Sequence, residues 1–140
     1  MEVREIMSEP VVTIGPEATL RAAVETMLEA RVGSVVVVDG RPAVGIVTRT
    51  DVLRATLEAQ RPFGERPVHE VMTDDVVMTT GTTSVTAALR TMTDHRISRL
   101  PVRQGRKPVG VVTLTDVARH LPAHLEEVRA VARQKDRHLD

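Results

Sequence analysis

Leu20, Ala23, Val24, Met27 and Leu28 fall at i, i+3, i+4, i+7 and i+8, one apolar face of a helix. Sixty-five residues on, Val85, Ala88, Leu89 and Met92 repeat the face. A hydroxyl residue suited to capping precedes each run: Thr19 in the first, Thr83 or Ser84 in the second. Between the helical stretches lie short runs rich in β-branched residues. The first half carries "VVTI" (11–14), "SVVVVD" (34–39) and "AVGIVT" (43–48); the second carries "VVMT" (76–79), "RLPVRQ" (99–104) and "PVGVVT" (108–113). Each reads as a strand, and Gly40 or Gly105 stands between the last two of each set, so those two form a hairpin. A second helix follows in each half, "DVLRATLEAQ" (51–60) or "DVARHL" (116–121). The order β-α-β-β-α is written twice, and the class predicted is α+β.

The halves are copies. Residues 3–54 slide onto 68–119 without a gap, and 21 of the 52 pairs are identical. Unrelated sequences would match at roughly one position in fifteen. A unit this short buries too little apolar surface to stand comfortably alone, so two of them are expected to share one interior. The predicted division is copy one at 1–60, a linker at 61–67, copy two at 68–121 and a tail at 122–140. The linker holds two prolines and a glycine and cannot continue a helix. The tail mixes charges with Leu125, Val128 and Val131, and reads as a solvated helix with a thin apolar stripe.

Composition narrows the function. Nineteen basic residues balance nineteen acidic ones, whereas a duplex-binding surface shows a basic excess. One Phe, no Trp and no Tyr leave no rings on which to stack single-stranded bases. The longest apolar run is "VVVV" (35–38), far short of a bilayer span, and the charged start "MEVREIMSEP" is no export signal. The absence of cysteine excludes disulfides and thiolate metal sites. A soluble, cytoplasmic protein is expected, with neither nucleic acid nor membrane as partner.

The candidate chemistry sits where strand gives way to helix. "GIVTRTD" (45–51) and "GVVTLTD" (110–116) each place a threonine and an aspartate three residues apart. One reading is a capping box, with Asp in place of Glu: Thr48 accepts a backbone N–H and Asp51 reaches back, as do Thr113 and Asp116. The other uses the same geometry to hold a nucleotide. A helix N-terminus suits a phosphate, the threonine hydroxyl can donate to it, and the carboxylate can accept from a ribose diol. One job does not exclude the other.

The duplicated β-α-β-β-α unit ending in "G-h-V-T-x-T-D-V", with h aliphatic and each copy led by "h-M-x-x-x-VV", resembles a CBS domain. Two in tandem resemble a Bateman module over residues 3–119. The resemblance implies that the copies pack sheet to sheet about a pseudo-twofold axis, leaving two clefts for adenine-containing ligands: AMP, ADP, ATP, NAD or S-adenosylmethionine. It implies one cleft with Thr48 and Asp51 facing Val77 and Ser98, and a second with Thr113 and Asp116 facing Val12 and Gly33. Adenine would lie between aliphatic side chains. Arg49 and Arg99 are candidates for phosphate, or solvated surface arginines; their counterparts, Leu114 and Ser34, carry no charge, so unequal clefts are expected. The resemblance also implies a homodimer through the apolar helices, and an unidentified regulated partner.

Other chemistry is poorly supported. His120 and His124 are four apart, but Pro122 interrupts the helix that would align them, and no HExxH or EF-hand spacing appears. There is no Cys, no G-x-S-x-G, and no serine with an evident histidine partner. Asp74 and Asp75 mark a turn. Methionines 7, 27, 72 and 92 read as core fillers. The expected function is a non-enzymatic sensor of an adenosyl metabolite. The alternatives are a ligand-free structural protein whose Thr-x-x-Asp stretches act only as caps, and a small hydrolase.

Overall fold

The computed structural model describes residues 1–58, 62–120 and 125–138. The element order is β1 (Thr13–Ile14), α1 (Leu20–Ala30), β2 (Ser34–Val38), β3 (Ala43–Thr48), α2 (Arg49–Leu57), β4 (Thr79–Thr80), α3 (Val85–His95), β5 (Arg99–Gln104), β6 (Lys107–Thr113), α4 (Leu114–His120) and α5 (Leu125–His138). Short 3-10 turns at Val3–Glu5 and Val68–Glu70 precede each copy's first strand, and a third, Phe63–Glu65, lies in the expected linker. The α+β class and the doubled β-α-β-β-α order are as read from sequence. The second helices begin at Arg49 and Leu114, two residues earlier than the runs quoted above, because the Thr-x-x-Asp element forms their first turn. The predicted ends of these helices at 59–60 and 121 lie outside the described residues, as do Arg61, Pro122 and His124.

The two copies build their cores by the same rules. Thr19 caps α1 by accepting from the Ala22 N–H, and Ser84 caps α3 by accepting from Ala87. At the far ends Arg31 and Arg96 take the left-handed conformation, φ 56° and 57°, and close the helices with N–H donors back onto their last turns. Such C-terminal positions usually fall to glycine, so arginine there costs some backbone strain twice over. Each sheet has three strands. β1 runs parallel to β2 and β2 antiparallel to β3, with Val36 opposite Ile46; in the second sheet β5 lies between β4 and β6.

The compact units, however, are not the sequence copies. One unit comprises Met1–Pro10, Val77–Gly105 and Val109–Asp140; the other comprises Val11–Val76 and Arg106–Pro108. For brevity these are unit 1 and unit 2. Each copy's leading segment packs on the body of the other copy. In unit 1, Ser8 and Val111 exchange backbone hydrogen bonds of 2.9 and 3.1 Å, and Val3 donates to Thr83. In unit 2, Thr73 and Ile46 exchange two bonds of 2.9 Å, and Val68 donates to Ala18.

This exchange explains the motif glycines. A Cβ on Gly45 would collide with the Met72 side chain, and one on Gly110 would stand 2.9 Å from both the Met7 sulfur and the Ser8 carbonyl oxygen. The "M" and the "G" of the repeat are therefore packing partners across the two copies. Met27 and Met92 are core residues as expected, while Met7 and Met72 are half-buried against those cores.

Unit 2 buries Leu20, Ala23, Met27, Val35, Val37 and Val47 without exposure beyond 6%. Unit 1 buries Leu89, Met92, Leu100, Val102, Val112 and Val117 to a similar degree. The tail, α5, is a helix with the thin apolar stripe read from sequence, and Val128 and Val131 of that stripe are seated on the core of unit 1. It packs on α3 and α4, with Val131 fully buried and Val128 against the same core. A stripe two valines wide suffices because the helix needs only one buried seam.

Candidate functional site

Both Thr-Asp pairs form the strand-to-helix junction in the same way. The backbone of β3 ends at Thr48, whose extended conformation (φ −111°, ψ 170°) turns the chain into α2. The Thr48 hydroxyl accepts the Asp51 N–H at 3.3 Å, and Asp51 Oδ2 accepts the Thr48 N–H at 2.8 Å and the Thr48 hydroxyl at 3.1 Å. In the second copy the Asp116 N–H donates to the Thr113 hydroxyl at 3.1 Å, and Asp116 Oδ2 accepts the Thr113 N–H at 2.9 Å. The capping reading is therefore realised in both places. Each carboxylate is also drawn inside, Asp51 to 9% and Asp116 to 6% exposure. Charged groups this buried need partners, and the cap gives each carboxylate one backbone N–H, with the Thr48 hydroxyl added at Asp51.

The pairs differ in the hydroxyls that their carboxylates meet, Thr48 at Asp51 and Ser8 at Asp116. The Ser8 hydroxyl lies 3.3 Å from Asp116 Oδ1 and 3.5 Å from Oδ2, so the second carboxylate oxygen already faces a donor within unit 1. Thr73, which occupies the matching position of the repeat, keeps the backbone pairing but makes no described side-chain bond to Asp51; the bonds described for Asp51 end on Oδ2.

The remaining candidates distribute evenly. Unit 2 holds Val12 and Gly33 with Thr48 and Asp51, whereas unit 1 holds Val77 and Ser98 with Thr113 and Asp116. Val12 and Val77 are half-buried, each against the core of its unit, and the Val12 carbonyl accepts the Val36 N–H. Gly33 and Ser98 each offer a carbonyl to the first residue of the following helix, Arg49 N–H at 3.2 Å and Leu114 N–H at 3.0 Å. These carbonyls thus occupy equivalent positions beside the two helix starts.

The arginines separate from this group. Arg99 opens β5, half-buried and engaged with other groups, and its counterpart Ser34 is buried. Arg49 lines a groove between α1 and α2 together with Val24 and Leu28, while Asp51 lines a different depression with Arg54 and Arg66. At about 100° per residue, positions two apart point to nearly opposite sides of a helix. Of the two readings of Arg49, phosphate ligand or surface arginine, its place in the α1–α2 groove favours the second. The Asp51 depression measures about 70 Å³ and is closed on one side by the Arg66–Glu70 pair, at 3.9 Å. Ligand pockets span roughly 300–1,000 Å³, so this depression by itself does not enclose a nucleoside. No cluster of three or more potential metal ligands occurs among the described residues, and no helix among them is long and apolar enough to cross a membrane.

Sequence reading missed Ser8 and the methionine–glycine pairs. The repeat aligns Ser8 with Thr73 and Met7 with Met72, but nothing in it shows that each leading segment crosses to the other copy.

The family model of the CBS domain matches residues 3–58 and 68–123, one domain for each β-α-β-β-α copy. The chain belongs to the CBS domain family. Among curated proteins it is 35% identical to the CBS domain-containing protein YhcV of Bacillus subtilis, over 83% of this chain and 82% of that one. It is 31% identical to hypoxic response protein 1 of Mycobacterium tuberculosis, over 86% and 85%. Among solved structures it is similar to the CBS domain pair of protein MJ0100 in complex with 5′-methylthioadenosine and S-adenosyl-L-methionine. That match has a TM-score of 0.79 and 25% identity, and covers 88% of this chain and 97% of that one. A structure of hypoxic response protein I with two coordinated zinc ions matches at TM-score 0.77 and 29% identity, covering 87% and 100%.

Proposed function

We propose that the chain is a non-enzymatic sensor that binds an adenosyl ligand, such as AMP, ADP, ATP, NAD or S-adenosylmethionine, and signals its presence to a partner protein. The observation that carries this reading is the buried carboxylate at each strand-to-helix junction, presented twice in the same geometry. A carboxylate has about four lone-pair directions, and the cap uses only part of them, so a ribose diol can still be held. Thr48 and Thr113 supply hydroxyls beside the helix starts. Val12 and Val77 offer aliphatic surface for adenine, and the carbonyls near Gly33 and Ser98 offer acceptors for its amino edge. Proteins built only of CBS domains are generally regulatory, and CBS pairs generally bind adenosyl ligands, which supports the reading. In the same reading the chain works as a homodimer joined through its helices.

The Asp51 element is the stronger site, because the Ser8 hydroxyl competes for Asp116. Thermal unfolding with AMP, ATP and S-adenosylmethionine tests the proposal. A ligand at 100 times its dissociation constant adds about 2.7 kcal/mol of stability. Asp51→Ala is expected to remove most of that gain, and Asp116→Ala a smaller part. Full retention of the shift in both variants rejects the site assignment; no shift with any adenosyl compound leaves the Thr-Asp elements as caps alone.

A further inference from the structure

The helix α5 has no counterpart in the repeat: sixty-five residues earlier the first copy carries its linker and the turn at Val68–Glu70. Its seat bears on one of the two Thr-Asp elements. Leu114 and Val117 stand either side of Asp116 on α4, and both belong to the core cluster that Val131 joins and Val128 packs against. At seven residues α4 is too short to keep a helical shape unaided. It is held at its start by the Thr113–Asp116 cap and along its inner face by this cluster, α5 included. The seam under α5 is narrow. Among its described side chains only Val131 is fully buried, and Ala132 and Arg133 are exposed. One turn beyond Val131, the Gln134 Oε1 is buried with no hydrogen-bond partner among the described residues. An unmet acceptor at the edge of so thin a seam weakens the hold.

We infer that α5 is the readout of the Asp116 site: it detaches from unit 1 as a separate cooperative piece, and a ligand on Asp116 holds it down. This readout rests on the adenosyl binding proposed above and adds the element that reports it. The physical link is α4. A diol gripping the Asp116 carboxylate favours the capped, helical form of α4, because that form sets the carboxylate and the Thr113 hydroxyl side by side. The same form presents Leu114 and Val117 as part of the seat of α5. Ligand and α5 therefore favour one state of one short helix, and each strengthens the other's hold by the same factor. Elements held by few buried apolar contacts open ahead of the rest of a fold, so α5 can leave while the sheet of unit 1 stays intact. The Asp51 element lacks this connection. On unit 2 the matching face, at the groove between α1 and α2, stays uncovered among the described residues.

The chain has no cysteine, so a single introduced thiol reports its own burial. Val131→Cys reports the opening of α5, and Val102→Cys, fully buried on β5, reports the opening of unit 1 as a whole. Without ligand, Val131→Cys is expected to react with a soluble thiol reagent at least about tenfold faster than Val102→Cys. In an Asp51→Ala background saturated with S-adenosylmethionine or AMP, whichever calorimetry shows to bind, that reaction is expected to slow by at least about fivefold, the lower end of ordinary coupling between sites. Reciprocally, Val131→Asp, which forces α5 off, is expected to weaken binding at Asp116 by about the same factor. Binding at Asp51, read in an Asp116→Ala background, is expected to stay unchanged by it. Equal rates for the two thiols without ligand would show that α5 moves only with the whole unit, and overturn the inference. So would a bound ligand that leaves the Val131→Cys rate unchanged, or a Val131→Asp loss that falls equally on both sites. No calorimetric binding of either compound by the unaltered chain rejects the adenosyl reading itself, and the readout with it, whatever the thiol rates.

Discussion

Unit 1 and unit 2 descend from one sequence, yet one presents a finished surface and the other an unfinished one. The helices α1 and α3 start and stop at equivalent residues and use the same caps. Their partners differ. α3 lies under α5, and its copy of Leu28 is the polar Thr93; α1 keeps Leu28 in solvent. At the other helices the first copy has Arg49 and Leu53 where the second has Leu114 and Ala118. In the second copy Leu114 is only 8% exposed and belongs to the core that α5 joins. A duplicated unit thus keeps its backbone rules while the residues facing outward follow whatever covers them. The same holds at the Thr-Asp elements, where the backbone cap is shared while Asp51 takes the Thr48 hydroxyl on Oδ2 and Asp116 meets the Ser8 hydroxyl from the leading segment.

That contrast can be broken most forcefully at α5. Val131→Asp places an unpaired charge in the core of unit 1 and is expected to cost about 4 kcal/mol or more. A similar charge at Leu53, on the matching face of unit 2, is expected to change monomer stability by no more than about 0.5 kcal/mol. Urea unfolding of the two variants measures both. Equal losses would mean that the two faces are covered alike.

The crossing segments give the next largest effect. Gly45→Ala drives a methyl group into the Met72 side chain, and Gly110→Ala drives one against Met7 and the Ser8 carbonyl. Overpacking of this kind costs about 1–3 kcal/mol. Gly110→Ala is expected to be the worse of the two, because a backbone oxygen yields less readily than the end of a methionine. Melting temperatures of the pair decide the order, and a larger loss at Gly45 would show that the methionine is the stiffer neighbour.

The smallest effect sharpens the comparison of the sites. Ser8→Ala removes the hydroxyl that faces Asp116 and is expected to strengthen adenosyl binding there by up to about tenfold, the worth of one modest hydrogen bond. Isothermal titration in an Asp51→Ala background isolates that site. Unchanged affinity would show that Ser8 does not compete with ligand.

The element order, the duplication and the capping threonines were legible because they rest on local patterns. Apolar spacing set α1 and α3, and the glycines at 40 and 105, with φ 74° and 60°, marked the hairpin turns. The first strands were read as four residues and pair over only two: Val11 and Val12 precede the ladder with β2, and β4 is shifted to Thr79–Thr80, beyond most of the stretch read at 76–79. Which side Arg49 takes relative to Asp51 was left open by the motif, because a motif lists neighbours in sequence while a helix turns neighbours to different sides. Ser8 was invisible, its contact with Asp116 spanning 108 positions.

By itself, then, the sequence determined what depends on nearby residues: helices, hairpins, their caps and the twofold repetition of all of them. Folding in three dimensions decided which copy's leading segment packs on which body, where the apolar stripe of the tail helix seats, and that among the described residues one of two equivalent faces stays uncovered. Those outcomes turn on which buried surfaces compete for the same partner, and that competition is settled by the whole chain rather than by any stretch of it.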